Sequence, residues 1–151
     1  MAETGDRAPD FTLPSTAGDV RLSDLTWHGP VILTFYAEDN TPLCTSQVSI
    51  LKNDYETIRE LGADVLAVSS DSLDSHRDFA ERLGGIPFPL ASDERLEVAR
   101  VYAVADDETR RCRRAAFVIG SDGRILHAER WFQSGNPAQY EAIFRALGFG
   151  G

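Results

Sequence analysis

Val31-Ile32-Leu33-Thr34-Phe35-Tyr36-Ala37-Glu38-Asp39-Asn40-Thr41-Pro42-Leu43-Cys44 is the stretch that decides the fold. Its first six residues form an almost unbroken β-branched and aromatic run, the pattern of a central strand buried on both faces. Its last four open a helix. Thr41 is a favoured N-cap, Pro42 fits the first helical position where no N–H is needed, and Cys44 falls at the third residue of the first turn. Unpaired amides and the positive end of the helix dipole then point toward a sulfur and favour thiolate, the nucleophilic form of cysteine. The plainer alternative is a buried, inert cysteine.

Working outward, Val48, Leu51, Tyr55, Ile58 and Leu61 recur at helical spacing from Pro42 until Gly62, a natural stop. Ala63 to Ser69 reads as a second buried strand and Leu73 to Leu83 as a second helix, closed by Gly84-Gly85. These make a right-handed βαβ unit. Upstream, Phe11-Thr12-Leu13 and Val20-Arg21-Leu22 read as a short hairpin flanking the sheet. Downstream come Phe88-Pro89-Leu90, a helix near Arg95 to Tyr102, a strand from Arg111 to Ile119, and a turn at Ser121-Asp122-Gly123 into Arg124 to Arg130. A last helix runs from Pro137 to Leu147, capped by Asn136. A parallel βαβ half, an antiparallel pair and a closing helix give a thioredoxin-like three-layer α/β/α sandwich with an N-terminal β-hairpin extension. Open α/β sheets place their sites at strand ends, where Cys44 lies.

The 151 residues, 42% of them hydrophobic, suit one domain spanning 1–151. Fifteen Lys and Arg against 24 Asp and Glu leave a net charge of −9, which disfavours nucleic acid and anionic lipid as partners. The N-terminus carries neither a basic region nor an apolar stretch, and no apolar run reaches membrane-spanning length, so a cytoplasmic protein is expected. Cys44 and Cys112 are the only cysteines and belong to no C-x-x-C or C-x-x-H cluster, so neither a disulfide scaffold nor zinc is expected. His28, His76 and His127 are isolated in sequence, read as surface or interface side chains, and are assigned no role.

Gly5-Asp6-Arg7-Ala8-Pro9-Asp10-Phe11-Thr12-Leu13, Thr41-Pro42-Leu43-Cys44-Thr45, Phe88-Pro89-Leu90-Ala91-Ser92-Asp93 and Arg114-Ala115-Ala116-Phe117-Val118-Ile119 together resemble the peroxiredoxins. The likeness covers nearly the whole chain and is greatest to the branch of the bacterioferritin comigratory proteins, also called PrxQ-like. It implies a thiol peroxidase without metal, haem, flavin or other cofactor, acting on hydrogen peroxide or alkyl hydroperoxides through a sulfenic acid. Through it Cys44 becomes the peroxidatic nucleophile, Thr41 the hydroxyl that positions peroxide, Arg114 the guanidinium that stabilises thiolate and transition state, and Gln47 the residue that orients this arginine. An exposed helix residue is the other reading of Gln47. Charge developing on the leaving oxygen of a breaking O–O bond needs such preorganised donors. Two positions depart from the family pattern. Ala37 stands where the motif has proline, removing a rigid wall and freeing an N–H. Ser49 stands where the PrxQ-like branch commonly has its resolving cysteine.

Recycling then falls to Cys112 or to an external thiol, whether thioredoxin-like, glutaredoxin-like or of low molecular weight. On one extended strand Cys112 and Arg114 would share a face, and Arg110, Arg111, Arg113 and Arg114 would lower the pKa of the Cys112 thiol. The other reading of Cys112 is packing. Two residues of strand span roughly 6.6 Å against about 4.4 to 6.8 Å for bridged Cα atoms, so a Cys44–Cys112 disulfide would require the first helical turn to unwind. Two other functions compete. A thiol-disulfide oxidoreductase is disfavoured by the missing C-x-x-C partner, and a redox-sensing or binding module without efficient turnover is the alternative. Monomer and homodimer are both open.

Overall fold

A computed structural model describes residues 2–133 and 135–148. Its centre is a seven-stranded sheet of order β2-β1-β5-β4-β3-β8-β9. The strands are β1 (Thr12–Ser15), β2 (Gly18–Arg21), β3 (Val31–Phe35), β4 (Asp64–Ser69), β5 (Leu90–Ser92), β8 (Ala115–Ile119) and β9 (Ile125–Glu129). β3, β4 and β5 are parallel, whereas β8 runs antiparallel to β3 from Val31↔Ile119 to Phe35↔Ala115. Every residue of β3 and β8 is buried, as their continuous apolar runs require. The N-terminal hairpin forms as expected and joins the sheet through Ser15↔Ala91.

Two apolar layers cover the sheet. One holds Leu33, Phe35, Tyr102, Val104, Phe117 and Cys112, beneath the short helices α1 (Leu22–Thr26) and α5 (Glu97–Val101). The other holds Ile32, Tyr36, Cys44, Val48, Phe79 and Ile143, beneath α2 (Pro42–Asn53), α3 (Tyr55–Glu60), α4 (Leu73–Arg82) and α6 (Pro137–Ala146). This is the thioredoxin-like α/β/α sandwich.

Two elements differ from the sequence reading. The helix expected from Pro42 to Gly62 breaks at Asp54, whose carboxylate accepts from the Tyr140 hydroxyl at 2.8 Å, so α6 seizes the chain where α2 would have continued. The strand expected from Arg111 to Ile119 also divides. Arg111–Cys112 is β7, paired only with β6 (Ala105–Asp106) in a separate two-stranded ribbon, while Arg113 and Arg114 link it to β8 outside both sheets. β3 ends at Phe35, opposite Ala115, so Arg114 has no β3 residue to pair with, and its carbonyl accepts from the Phe132 amide at 3.0 Å instead.

Candidate active site

The end of β3 and the start of α2 carry the site. Thr41 is the N-cap of α2 by position, with extended backbone at φ −78° and ψ 148°, Pro42 is the first helical residue, and Cys44 is the third. Cys44 is 3% exposed. Thr41 caps differently from expectation. Its side chain makes no cap hydrogen bond and instead donates through Oγ1 to the Glu38 carbonyl at 2.9 Å, folding the approach loop back on itself. The oxygen keeps its lone pairs for another donor.

Next to this turn lies an open cleft of about 530 Å³, lined by Ala37, Thr41, Cys112, Arg114, Trp131 and Phe132 among others. Thr41 and Arg114 therefore meet at one surface. Cys44 sits behind it and does not line it. Among the described residues the Arg114 guanidinium has no hydrogen-bond or ion-pair partner, so its five donors are uncommitted. Neighbouring Arg113 is engaged, stacked 4.8 Å over the ring of exposed Trp131.

Gln47 is wholly buried, which removes the exposed-residue reading. Its Nε2 donates to Thr34 Oγ1 at 2.6 Å and to the Phe35 carbonyl at 2.9 Å, while the Thr34 hydroxyl donates to the Ala115 carbonyl at 3.0 Å. Both amide hydrogens are thus spent on β3, and Oε1 is left buried without a partner among the described residues. A buried acceptor in that condition is costly unless a donor reaches it during function.

Cys112 is 2% exposed and packs in the opposite layer from Cys44, although it also lines the cleft. Its flanking arginines do not set its chemistry. Burial, then the carboxylates of Asp93 and Asp71, push the Cys112 thiol from 9.0 up to about 12, with only Arg111 opposing and a small further rise from Cys44. The expected fall is reversed because the fold brings in carboxylates that are remote in sequence.

Sequence reasoning also missed His76. It is fully buried, with Nδ1 2.8 Å from Asp39 Oδ2 and Nε2 2.9 Å from the Ala91 carbonyl. Asp39 Oδ1 accepts from Tyr36 at 2.6 Å, and its Oδ2 also accepts from Ser75 at 2.8 Å. Burial first and Asp39 second hold the Tyr36 phenol protonated, well above its ordinary value. Asp71 Oδ2 accepts the Asp39 amide at 2.9 Å and Ser69 Oγ at 2.7 Å. Ligand atoms of Asp39, Asp71 and His76 lie within 4.8 Å of one another, close enough to hold a cation, but each is already hydrogen-bonded within the protein. The cluster pins the loop from behind, and Arg111 pins it in front through Glu38 Oε2 at 2.9 Å and Asp71 Oδ1 at 3.1 Å. Of the other histidines, His28 is exposed and His127 pairs with Glu129 Oε1 at 2.9 Å.

Residues 4–128 match the AhpC/TSA family. A peroxiredoxin of Thermoplasma volcanium is 36% identical over 149 residues, covering 95% of this chain and 72% of the relative. The chloroplastic peroxiredoxin Q of Sedum lineare is 38% identical over 104 residues, 68% of this chain and 55% of the relative. Among solved structures, peroxidoxin BcpB from Mycobacterium tuberculosis superposes with a TM-score of 0.87 at 30% identity, over 97% of each chain. With a cysteine on a helix start behind a threonine and an uncommitted arginine, and with these relatives, the chain belongs to the AhpC/TSA family and is a peroxiredoxin, a thiol-dependent peroxidase.

Proposed function

We propose that Cys44 is the peroxidatic cysteine and that the cleft beside it admits hydrogen peroxide or a small alkyl hydroperoxide. One observation carries this reading: Thr41 and Arg114 line the same cleft at the start of the helix whose third residue is Cys44. The thiolate sulfur attacks the near oxygen of the peroxide, the O–O bond breaks, and the far oxygen leaves as water or alcohol once protonated. Cys44 becomes a sulfenic acid. Charge on the leaving oxygen meets the Arg114 guanidinium and the first-turn amides of α2, donors in place before the reaction begins. Thr41 Oγ1, donating to Glu38, accepts the peroxide O–H and orients it. Gln47 Oε1, with both Nε2 hydrogens held by β3, is the acceptor that steadies Arg114 in the reacting arrangement.

The electrons come from a thiol reductant of the thioredoxin-like class, and a cytoplasmic setting fits that supply. Among the described residues no helix is long and apolar enough to cross a membrane. Stopped-flow peroxide consumption by the reduced protein tests the assignment. Cys44→Ser should abolish the first turnover, and Arg114→Met should slow it by roughly 10²-fold or more, the scale of losing a transition-state donor. A loss under threefold for Arg114→Met would remove Arg114 from the site.

A further inference from the structure

The β6–β7 ribbon that carries Cys112 is a minimal structure. It has two residue pairs, Ala105↔Cys112 and Asp106↔Arg111, extended by one bond from the Arg113 amide to the Val104 carbonyl at 2.7 Å. Its turn is exposed, and Arg110 holds a left-handed φ of +57°, unfavourable for a residue with a side chain. The seven-stranded sheet does not include it. What fastens it to the active-site loop is Arg111, bridging Glu38 and Asp71 with a side chain 36% exposed. Beneath this light attachment, Cys112 borders the same cleft as Thr41 and Arg114, at the start of the helix that carries Cys44.

We infer that Cys112 is the resolving thiol of this peroxiredoxin, delivered to oxidised Cys44 by displacement of the β6–β7 ribbon. The inference rests on the reading of Cys44 as the peroxidatic residue. The two sulfurs occupy opposite layers, each almost wholly buried, so bridging them requires the ribbon to leave its seat and the first turn of α2 to loosen. In the step itself the Cys112 sulfur attacks the Cys44 sulfur, an S–S bond forms, the S–O bond breaks, and the thiol proton leaves with the oxygen as water. Peroxide has supplied the oxidation, and an external dithiol later returns the two electrons by reducing the disulfide.

Burial serves this sequence of events. Seated, Cys112 is kept as a neutral thiol by desolvation and by Asp93 and Asp71, so it does not compete with Cys44 for peroxide. Displaced, it leaves that burial and those carboxylates behind but keeps its covalent neighbours Arg111 and Arg113, which favour the attacking thiolate.

The test is one equivalent of hydrogen peroxide added to reduced protein, followed by a non-reducing gel and mass mapping of peptides, with a sulfenic-acid trap in parallel. A Cys44–Cys112 cross-link at monomer size is expected in the wild type. Cys112→Ser should consume the first equivalent at the wild-type rate, trap as sulfenic acid on Cys44, and over-oxidise at roughly tenfold lower peroxide doses. Arg111→Met, which unfastens both the ribbon and the loop that Arg111 holds, should close the disulfide several-fold faster once the sulfenic acid has formed, timed from the sulfenic acid and not from peroxide addition. A wild type that consumes peroxide yet gives only trapped sulfenic acid, or a cross-link between chains, overturns the inference and leaves Cys44 as the peroxidatic residue. A reduced wild type that consumes no peroxide overturns both.

Discussion

Replacing His76 with leucine should destabilise the protein by about 4 kcal/mol, and the figure follows from proton counting. Both ring nitrogens face acceptors: Nε2 the Ala91 carbonyl at 2.9 Å, and Nδ1 the Asp39 carboxylate at 2.8 Å. A carbonyl only accepts, so Nε2 carries a proton, and a second proton must lie between Nδ1 and Asp39. The pair is therefore neutral overall, with side chains 0% and 1% exposed. Leucine fills much of the volume but removes that balance. Asp39 is left buried with the hydroxyls of Tyr36 and Ser75 but without its ring partner, at about 3 to 5 kcal/mol, and the Ala91 carbonyl loses its side-chain donor. Urea denaturation measures the loss. The double variant Asp39→Asn, His76→Leu removes the stranded charge and should cost at least about 1.5 kcal/mol less than the sum of the two single changes. A single-variant loss under about 1 kcal/mol, or additivity within about 0.5 kcal/mol, would refute the reasoning.

Two other outcomes are expected. Thr41→Val removes the bond to the Glu38 carbonyl but no cap, so stability should fall by about 1 kcal/mol, peroxide turnover should fall at least roughly tenfold, and Thr41→Ser should restore most of both; matched small effects in denaturation and kinetics would leave Thr41 a structural residue. The fold raises the Cys112 thiol from 9.0 to about 12, so its contribution to stability is fully present below pH 9 and is lost as pH climbs through 12. Between pH 9 and 11 this amounts to roughly 2 to 3 kcal/mol, which wild type should lose beyond the loss in Cys112→Ala, and equal pH slopes for the two proteins would show the thiol already open to water.

Sequence patterns revealed those parts of the molecule that local residues determine. The run from Val31 marks a strand buried on both faces because β4 and β8 flank it and helices cover it, and Thr41-Pro42 marks the start of α2 because those residue types suit that turn. What stayed hidden depends on partners remote in the chain. Nothing near Asp54 announces a helix break, since the hydroxyl that intercepts it belongs to Tyr140. Nothing near His76 announces a buried pair, since Asp39 and Ala91 reach it from other elements. The residues from Arg111 to Ile119 read as one strand, but nothing in them says where the neighbouring strand stops, and β3 stops opposite Ala115. The same limit inverted the chemistry of Cys112. Its sequence neighbours are cations, whereas its spatial neighbours include Asp71 and Asp93.

Ala37 in place of the motif proline takes on a different meaning once these partners are known. A proline would fix one backbone angle of the approach loop. Here the following residues are each restrained by other means. Glu38 is paired with Arg111 through its side chain and with Thr41 through its carbonyl. The Asp39 amide is held by Asp71, and the Asp39 carboxylate by Tyr36, Ser75 and His76. Asn40 adopts a left-handed φ of +68°, which asparagine tolerates better than most residues, and the Thr41 carbonyl accepts the Thr45 amide at 2.8 Å. Rigidity at the site is thus supplied by α4, by the segment after β4, and by the ribbon that carries Cys112, rather than by a ring in the backbone. Arg111 belongs to two of these restraints, because it holds Glu38 directly and Asp39 through Asp71. Displacing the ribbon therefore releases the loop that positions Thr41 at the same time as it frees Cys112, so the site relaxes when the resolving step needs the first turn of α2 to open.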